Sequence, residues 1–256
     1  MKKVRGIFIK NQNEIELLRE ANRIVALVLD ELEESVAPGK TTLDLEEQAV
    51  SLCRKNGVES AFKGYHGFPF ALCCSVNEEV VHGFPSDRKL AEGDIVSVDF
   101  GVKYKGFFGD SARTFAVGEV DEQVSQLLAV TEESLYRGIG QAVAGNELYD
   151  ISGAIEGYAS GFGYGIVERF VGHGIGRNLH EKPEIPNFVP RGGEKILLRQ
   201  GMALAIEPMI TLGGADVRIL DDGWTAVTKD GSMAAHFEHT IVITASGPEI
   251  LSASKR

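Results

Sequence analysis

Apolar positions recur at helical spacing over residues 13–36, where Ile15, Leu18, Ala21, Val25, Val28, Leu29 and Leu32 share a face and Pro38-Gly39 ends the pattern. A second helix is predicted from Thr41 or Thr42 as N-cap, with Leu45, Ala49, Leu52 and Cys53 on one side and Asn56-Gly57 as a left-handed C-cap. Between residues 71 and 117 the pattern changes to β-branched and aromatic runs separated by Gly-rich breaks, which predicts strands. The order then repeats, with helices near 122–143 and 147–161 and strands near 166–171, 202–211, 216–220 and 237–244. Helices preceding strands twice, with no linker or low-complexity segment between, predict one α+β domain over residues 1–256, its helices packed on one face of a largely antiparallel sheet. The two halves share too little identity to establish an internal duplication.

Composition narrows the class. Apolar residues make up 43% and charged residues 25% of 256, which fits a folded chain and excludes disordered, collagen-like and coiled-coil ones. A net charge of −11 argues against general nucleic-acid binding, leaving at most a small basic patch at Lys2, Lys3, Arg5 and Lys10. No run approaches the ~20 apolar residues of a membrane span, and the apolar run Ile7–Ile9 is too short for a signal peptide. Three cysteines, two of them adjacent, form no C-x-x-C pair and fit a reducing compartment, so the cytoplasm is expected. P-loop, dinucleotide, H-E-x-x-H and G-x-S-x-G signatures are absent.

Candidate chemistry begins in residues 94–117. Val96, Val98, Phe100 and Val102 alternate onto one face, which puts Asp99 on the other. A Tyr104-Lys105 hairpin loop would set Asp99 directly across from Asp110, ~5 Å between Cβ atoms, a Lys105-Gly106 loop would set them diagonally on the same face, and an odd-length loop would separate them. Two such carboxylates require a shared proton, a raised pKa or a bound cation. Glu207 is expected mid-strand within 202–211, with Pro208 marking an edge, a bulge or a strand end, and Glu238 within the strand 237–244. Asp and Glu are depleted from strands and rarely buried unpaired, so four acids in four apolar strands point to a site. His173 and His180 lie in a loop whose glycines 172, 174 and 176 allow close backbone approach. Carboxylates with one imidazole suit a two-metal site for Mn, Fe, Co or Zn. Cys73 and Cys74 read as small buried hydrophobes.

The motifs GYHGFP, SVNEEVVHGFP, VSVDFG, FGDSARTF, GHGIGRNLHEKPEIPNF, AIEPM and FEHTIVIT occur in family-like order and spacing, and over nearly its whole length the chain resembles the bacterial type I methionine aminopeptidases. The resemblance implies the pita-bread (creatinase/aminopeptidase) fold with a pseudo-two-fold axis. It implies two divalent ions held by Asp99, Asp110, His173, Glu207 and Glu238, with Asp110 and Glu238 bridging, Asp99 on one ion and His173 and Glu207 on the other. It further implies His82 and His180 as non-ligand catalytic histidines, His82 near the substrate amine and amide and His180 donating to the scissile carbonyl. Glu207 would also handle the proton of the attacking water. Phe62, Tyr65, Phe68, Cys73, Leu179 and Trp224 would line the methionine pocket beside them. The implied reaction is removal of the N-terminal methionine from nascent polypeptides with a small second residue, by a monomer with the ribosome surface as a further contact and with no specific nucleic acid or membrane partner. Proline-specific peptidases of the same fold carry an additional N-terminal domain, and a non-catalytic binder on this fold would be expected to lose ligands.

Overall fold

The computed structural model describes residues 2–4, 6–193 and 195–254. Helix α1 (Gln12–Glu33) starts at Asn11, whose side chain accepts the Glu14 N–H while the Glu14 carboxylate accepts the Asn11 N–H. Thr41 and Asp44 do the same for α2 (Thr42–Asn56), which ends at the expected left-handed Gly57. These reciprocal caps satisfy backbone donors that the first turn leaves unpaired. The apolar sides of α1 and α2 cover a sheet centred on the hairpin Ile95–Tyr104 and Phe107–Ala116. Val96, Val98, Phe100 and Val102 are fully buried there against Val25, Leu29 and Leu45. Each side chain so buried contributes about 1.5–3 kcal/mol.

The second half repeats the arrangement. Helices α3 (Glu122–Gly140) and α4 (Leu148–Ala159) pack together, and Leu127, Leu135, Ile151 and Ile155 meet Leu204, Ile206 and Ile241 of a five-stranded sheet. Every pairing between strands of the described residues is antiparallel. Two helix pairs, each on its own sheet, follow the repeated helix-then-strand order and agree with the pita-bread layout that the resemblance implies.

Several expected strands are shorter or divided. The segment 202–211 breaks into Ala203–Ile206 and Met209–Thr211, which belong to different sheets, so Glu207 sits at the break and not mid-strand. Pro208 has no N–H for a ladder, and the chain changes sheets there. The segment 237–244 is a strand only from His239, with Ala234–His236 in another sheet, so Glu238 also lies between strands. Within 166–171 only Ile166 is extended, as the end of Gly165–Ile166. The expected basic patch loses Lys10, which is buried against Glu181, and Arg5 lies outside the described residues.

Close approach of α1 to the hairpin depends on Gly109. A Cβ there would lie 2.8 Å from the Ala21 carbonyl carbon and the Asn22 nitrogen. At the same contact Asn22, fully buried, accepts the Asp110 N–H at 3.1 Å. Gly109→Ala is expected to push α1 away, costing about 1–3 kcal/mol in urea unfolding as other overpacked sites do. It should also weaken Mn²⁺ binding, because Asp110 loses its backbone anchor.

Candidate metal centre and peptide pocket

The hairpin turn selects between the two registers open from sequence. Lys105 and Gly106 both have positive φ, 46° and 82°, and Tyr104 pairs with Phe107. This is the backbone of a two-residue type I′ turn. Asp99 therefore faces Ala112 and Asp110 faces Gly101, so the two carboxylates lie diagonally on one face. On the other flank Asp99 pairs with Cys73, which sets an apolar residue beside the carboxylate.

Glu207 and Glu238 arrive from the two strand breaks, each fixed through its backbone. Asn187 donates its side-chain N–H to the Glu207 carbonyl at 3.0 Å. Ser111 donates to the Glu238 carbonyl, the Glu238 N–H donates to Ala112, and Thr240 donates to the Asp110 carbonyl. His173 enters on the strand Gly172–Gly174, paired with Ala203–Ile206. Its Nδ1 is 2.9 Å from the Gly174 carbonyl. A carbonyl can only accept, so Nδ1 carries the proton and Nε2 presents a lone pair. That Nε2 lies 3.6 Å from Glu207 Oε1 and 3.9 Å from Asp110 Oδ2.

An acceptor nitrogen turned toward carboxylates is unfavourable without a cation between them. Burial pushes the Asp99 carboxyl up to about 7, and burial followed by mutual repulsion raises Asp110, Glu207 and Glu238 well above the carboxylate range. Burial lowers His173 to about 3, with His180 adding to the effect, so its ring is neutral. Asp99 Oδ1, Asp110 Oδ1 and Glu238 Oε1 are buried with no hydrogen-bond partner. Asp110, His173 and Glu238 each offer an atom within 4.8 Å of the others, close enough to share one ion. Asp99 and Glu207 line the same cavity and can complete a second position. The donor set fits a pair of divalent transition ions.

This cavity, of about 210 Å³, also takes in Phe62, Tyr65, Phe68, Cys73, His82, Leu179, His180 and Trp224. All thirteen residues singled out from sequence thus meet in one place. Phe68 and Trp224 pack edge to face at 5.1 Å, and the Cys73 thiol is held protonated by burial. His82 has a φ of 61°, a conformation that costs a non-glycine residue free energy and recurs at functional sites.

A family model describing metallopeptidase family M24 matches residues 16–245. The chain belongs to metallopeptidase family M24. Within it, the chain is similar to a methionine aminopeptidase of Clostridium perfringens, 49% identical over 249 residues that cover 97% of this chain and 100% of that protein. Methionine aminopeptidase 1 of Bacillus subtilis is 47% identical, covering 96% of this chain and 99% of that protein. The crystal structure of the Thermotoga maritima methionine aminopeptidase superposes with a TM-score of 0.94 at 48% identity, covering 97% of this chain and 100% of that one. A prolidase from Pyrococcus furiosus shares the fold at a TM-score of 0.79 and 24% identity, with this chain spanning 66% of its length.

Some residues of this M24 site escaped sequence reasoning. His66 lines the cavity, and the only signal for it was its place inside GYHGFP. His236 is 1% exposed, lacks a hydrogen-bond partner at either ring nitrogen and sits 3.8 Å from Glu207 Oε2. Its position two residues before Glu238 was the available hint. The close backbone approach expected of the glycines at 172 and 174 is made to neighbouring strands. A Cβ at either would strike the neighbouring strands, at the Ala205 and Lys182 carbonyls.

The raised carboxyls give the metal-free protein a defined pH dependence. Each binds its proton more tightly folded than unfolded, so its contribution is present at low pH and lost as pH rises through the folded value, about 7 for Asp99. The buried neutral histidines act oppositely, but only below their unfolded value of ~6.5. Thermal melts in EDTA should therefore show the Tm of the wild type falling relative to that of Asp99→Asn between the unfolded carboxyl value of ~4 and about pH 7, with no further change in the difference above that. A Tm difference between the two proteins that does not change with pH would contradict the buried-carboxylate account.

Proposed function

We propose that this metallopeptidase is a bacterial type I enzyme that removes the N-terminal methionine from nascent proteins and peptides whose second residue is small. One juxtaposition carries the reading: an apolar recess of Phe62, Tyr65, Phe68, Cys73, Leu179 and Trp224 opens onto the carboxylate and imidazole cluster in the same cavity. Similarity to methionine aminopeptidases over the whole chain supports it. No helix of the described residues is long and apolar enough to cross a membrane. The chain works as one catalytic unit, a cytoplasmic monomer that meets polypeptide N-termini near the ribosome surface.

Asp99, Asp110, His173, Glu207 and Glu238 would together hold two divalent ions. When bound, the ions make a water nucleophilic at neutral pH and stabilise charge growing on the peptide carbonyl oxygen. Glu207 takes up the water proton and returns it to the leaving amine. Tyr65 Oη is 2.7 Å from His180 Nδ1. With the phenol donating, His180 carries its own proton on Nε2 and directs it at the carbonyl oxygen. His82, lowered to about 4 by burial, is neutral and serves the amine and amide side. The recess takes the flexible thioether side chain and excludes water.

Peptides beginning Met-Ala or Met-Gly should be cut by the Mn²⁺-loaded protein and those beginning Met-Lys or Met-Phe should not. Norleucine should be discriminated weakly from methionine and alanine strongly, since each methylene in an apolar pocket is worth only ~1–3 kcal/mol. Equal turnover of Met-Ala and Met-Lys peptides, or a requirement for proline in second place, would refute the assignment.

The two loop histidines should separate by kinetics. His180→Ala is expected to keep Mn²⁺ affinity and lose ~10²-fold or more in kcat, as when an oxyanion donor is removed. His173→Ala should need more metal for any residual activity. Isothermal titration beside steady-state assays on Met-Ala-Ser measures both, and the reverse pattern would exchange the roles.

A further inference from the structure

The turn that carries His180 is tied down from outside the cavity by a buried ion pair. Lys10 Nζ lies 2.7 Å from Glu181 Oε2, and each side chain is only 1% exposed. The other Glu181 oxygen accepts the N–H groups of Arg177 and Asn178 at 2.9 and 3.2 Å. Lys10 is itself anchored: Nζ also donates to the Phe8 carbonyl at 3.2 Å, and its backbone N–H donates to Gly201 at 2.8 Å. The turn has no slack against this pair. A Cβ on Gly176 would lie 2.7 Å from the Glu181 carboxylate and 2.8 Å from Lys10 Cε, while the Gly176 carbonyl accepts the Phe108 N–H from the hairpin.

An apolar pair of the same volume would stabilise the fold as well or better, because burying two charges costs much of what their attraction returns. An apolar pair could not hold two backbone N–H groups of the turn at one fixed carboxylate. Lys10 lines no part of the cavity described above, yet its partner is the residue that follows His180.

We propose that Lys10 is a positioning residue for His180, acting through Glu181 and the turn 176–180 to aim the imidazole at the substrate carbonyl. The inference rests on His180 acting as the carbonyl donor. His173 lies at the other end of the loop, on a strand paired on one side with the strand that begins at Glu181 and on the other with Ala203–Ile206 through Ala205, so it keeps a support that does not depend on the ion pair and the pair acts first on the donor.

Lys10→Met and Lys10→Arg, loaded with Mn²⁺, test this by steady-state kinetics on Met-Ala-Ser, isothermal titration with Mn²⁺ and the ¹⁵N resonances of the His180 ring. Lys10→Met should lose about 10- to 100-fold in kcat, the scale of a misplaced catalytic group. Its KM and Mn²⁺ affinity should stay as in the wild type, and the His180 resonances should shift. Lys10→Arg, which keeps the charge, should recover most of kcat. The double variant Lys10→Met/Glu181→Gln removes both buried charges and covers the case in which Lys10→Met does not fold; the same pattern is expected of it. A folded variant with wild-type kcat and unshifted His180 resonances overturns the proposal. So does a loss of Mn²⁺ affinity that matches the loss of kcat, which would make the pair a support of His173. If the wild type fails to cleave Met-Ala-Ser, the functional reading falls, while the His180 resonances still decide the positioning role.

Discussion

Four carboxylates that cannot all be charged without a cation occupy one buried cavity, and much of the surrounding structure serves to keep them there. Asp99, Asp110, Glu207 and Glu238 have raised pKa values because water has been withdrawn and because the groups repel one another. A chain free to relax would splay them into solvent. The restraint is applied at the backbone, leaving carboxylate oxygens free: Asn22 holds the Asp110 amide, Asn187 the Glu207 carbonyl, and Ser111 the Glu238 carbonyl. Divalent ions then convert a destabilising cluster into a stabilising one, so metal binding and folding stability are linked.

The two halves of the fold contribute differently to this cluster. The first half supplies Asp99 and Asp110 from a regular hairpin, where alternation alone turns them away from the apolar face buried under α1 and α2. The second supplies His173 from a short strand and Glu207 and Glu238 from places where a strand stops and the chain changes sheets. Breaks free a side chain from the strict up-and-down order of a sheet and allow it to be aimed. The apolar recess is joined to the carboxylate cluster by the pairing of Cys73 with Asp99, which puts the two on neighbouring strands.

The histidines are oriented by their neighbours. His173 is fixed as an acceptor at Nε2 by the Gly174 carbonyl, and His180 is engaged at Nδ1 by Tyr65, so two rings whose centroids are only 4.3 Å apart are held by different neighbours. Burial keeps His82, His173 and His236 neutral, which avoids adding their positive charge to a site that is to hold cations.

By itself the sequence determined the four helices and the two caps of α2, the buried stripe on the hairpin, and the presence of Asp99 and Asp110 on the opposite face, because each follows from local periodicity or from a side chain bonding its own backbone. Asn56-Gly57 and Thr41 acted as expected for this reason. That all thirteen of these residues would share one cavity was legible only through resemblance of whole motifs, since nothing local to Tyr65 or Trp224 links them to His180 or His82. The hairpin register was left between two loops until the positive φ of Lys105 and Gly106 settled it. Glu207 and Glu238 looked like mid-strand residues, because alternation of apolar neighbours continues across a break that only sheet pairing exposes. His236 and the Lys10 to Glu181 pair were invisible for the same reason: their partners are distant in sequence, and only tertiary packing removes the water that makes an unpaired imidazole or a buried charge consequential.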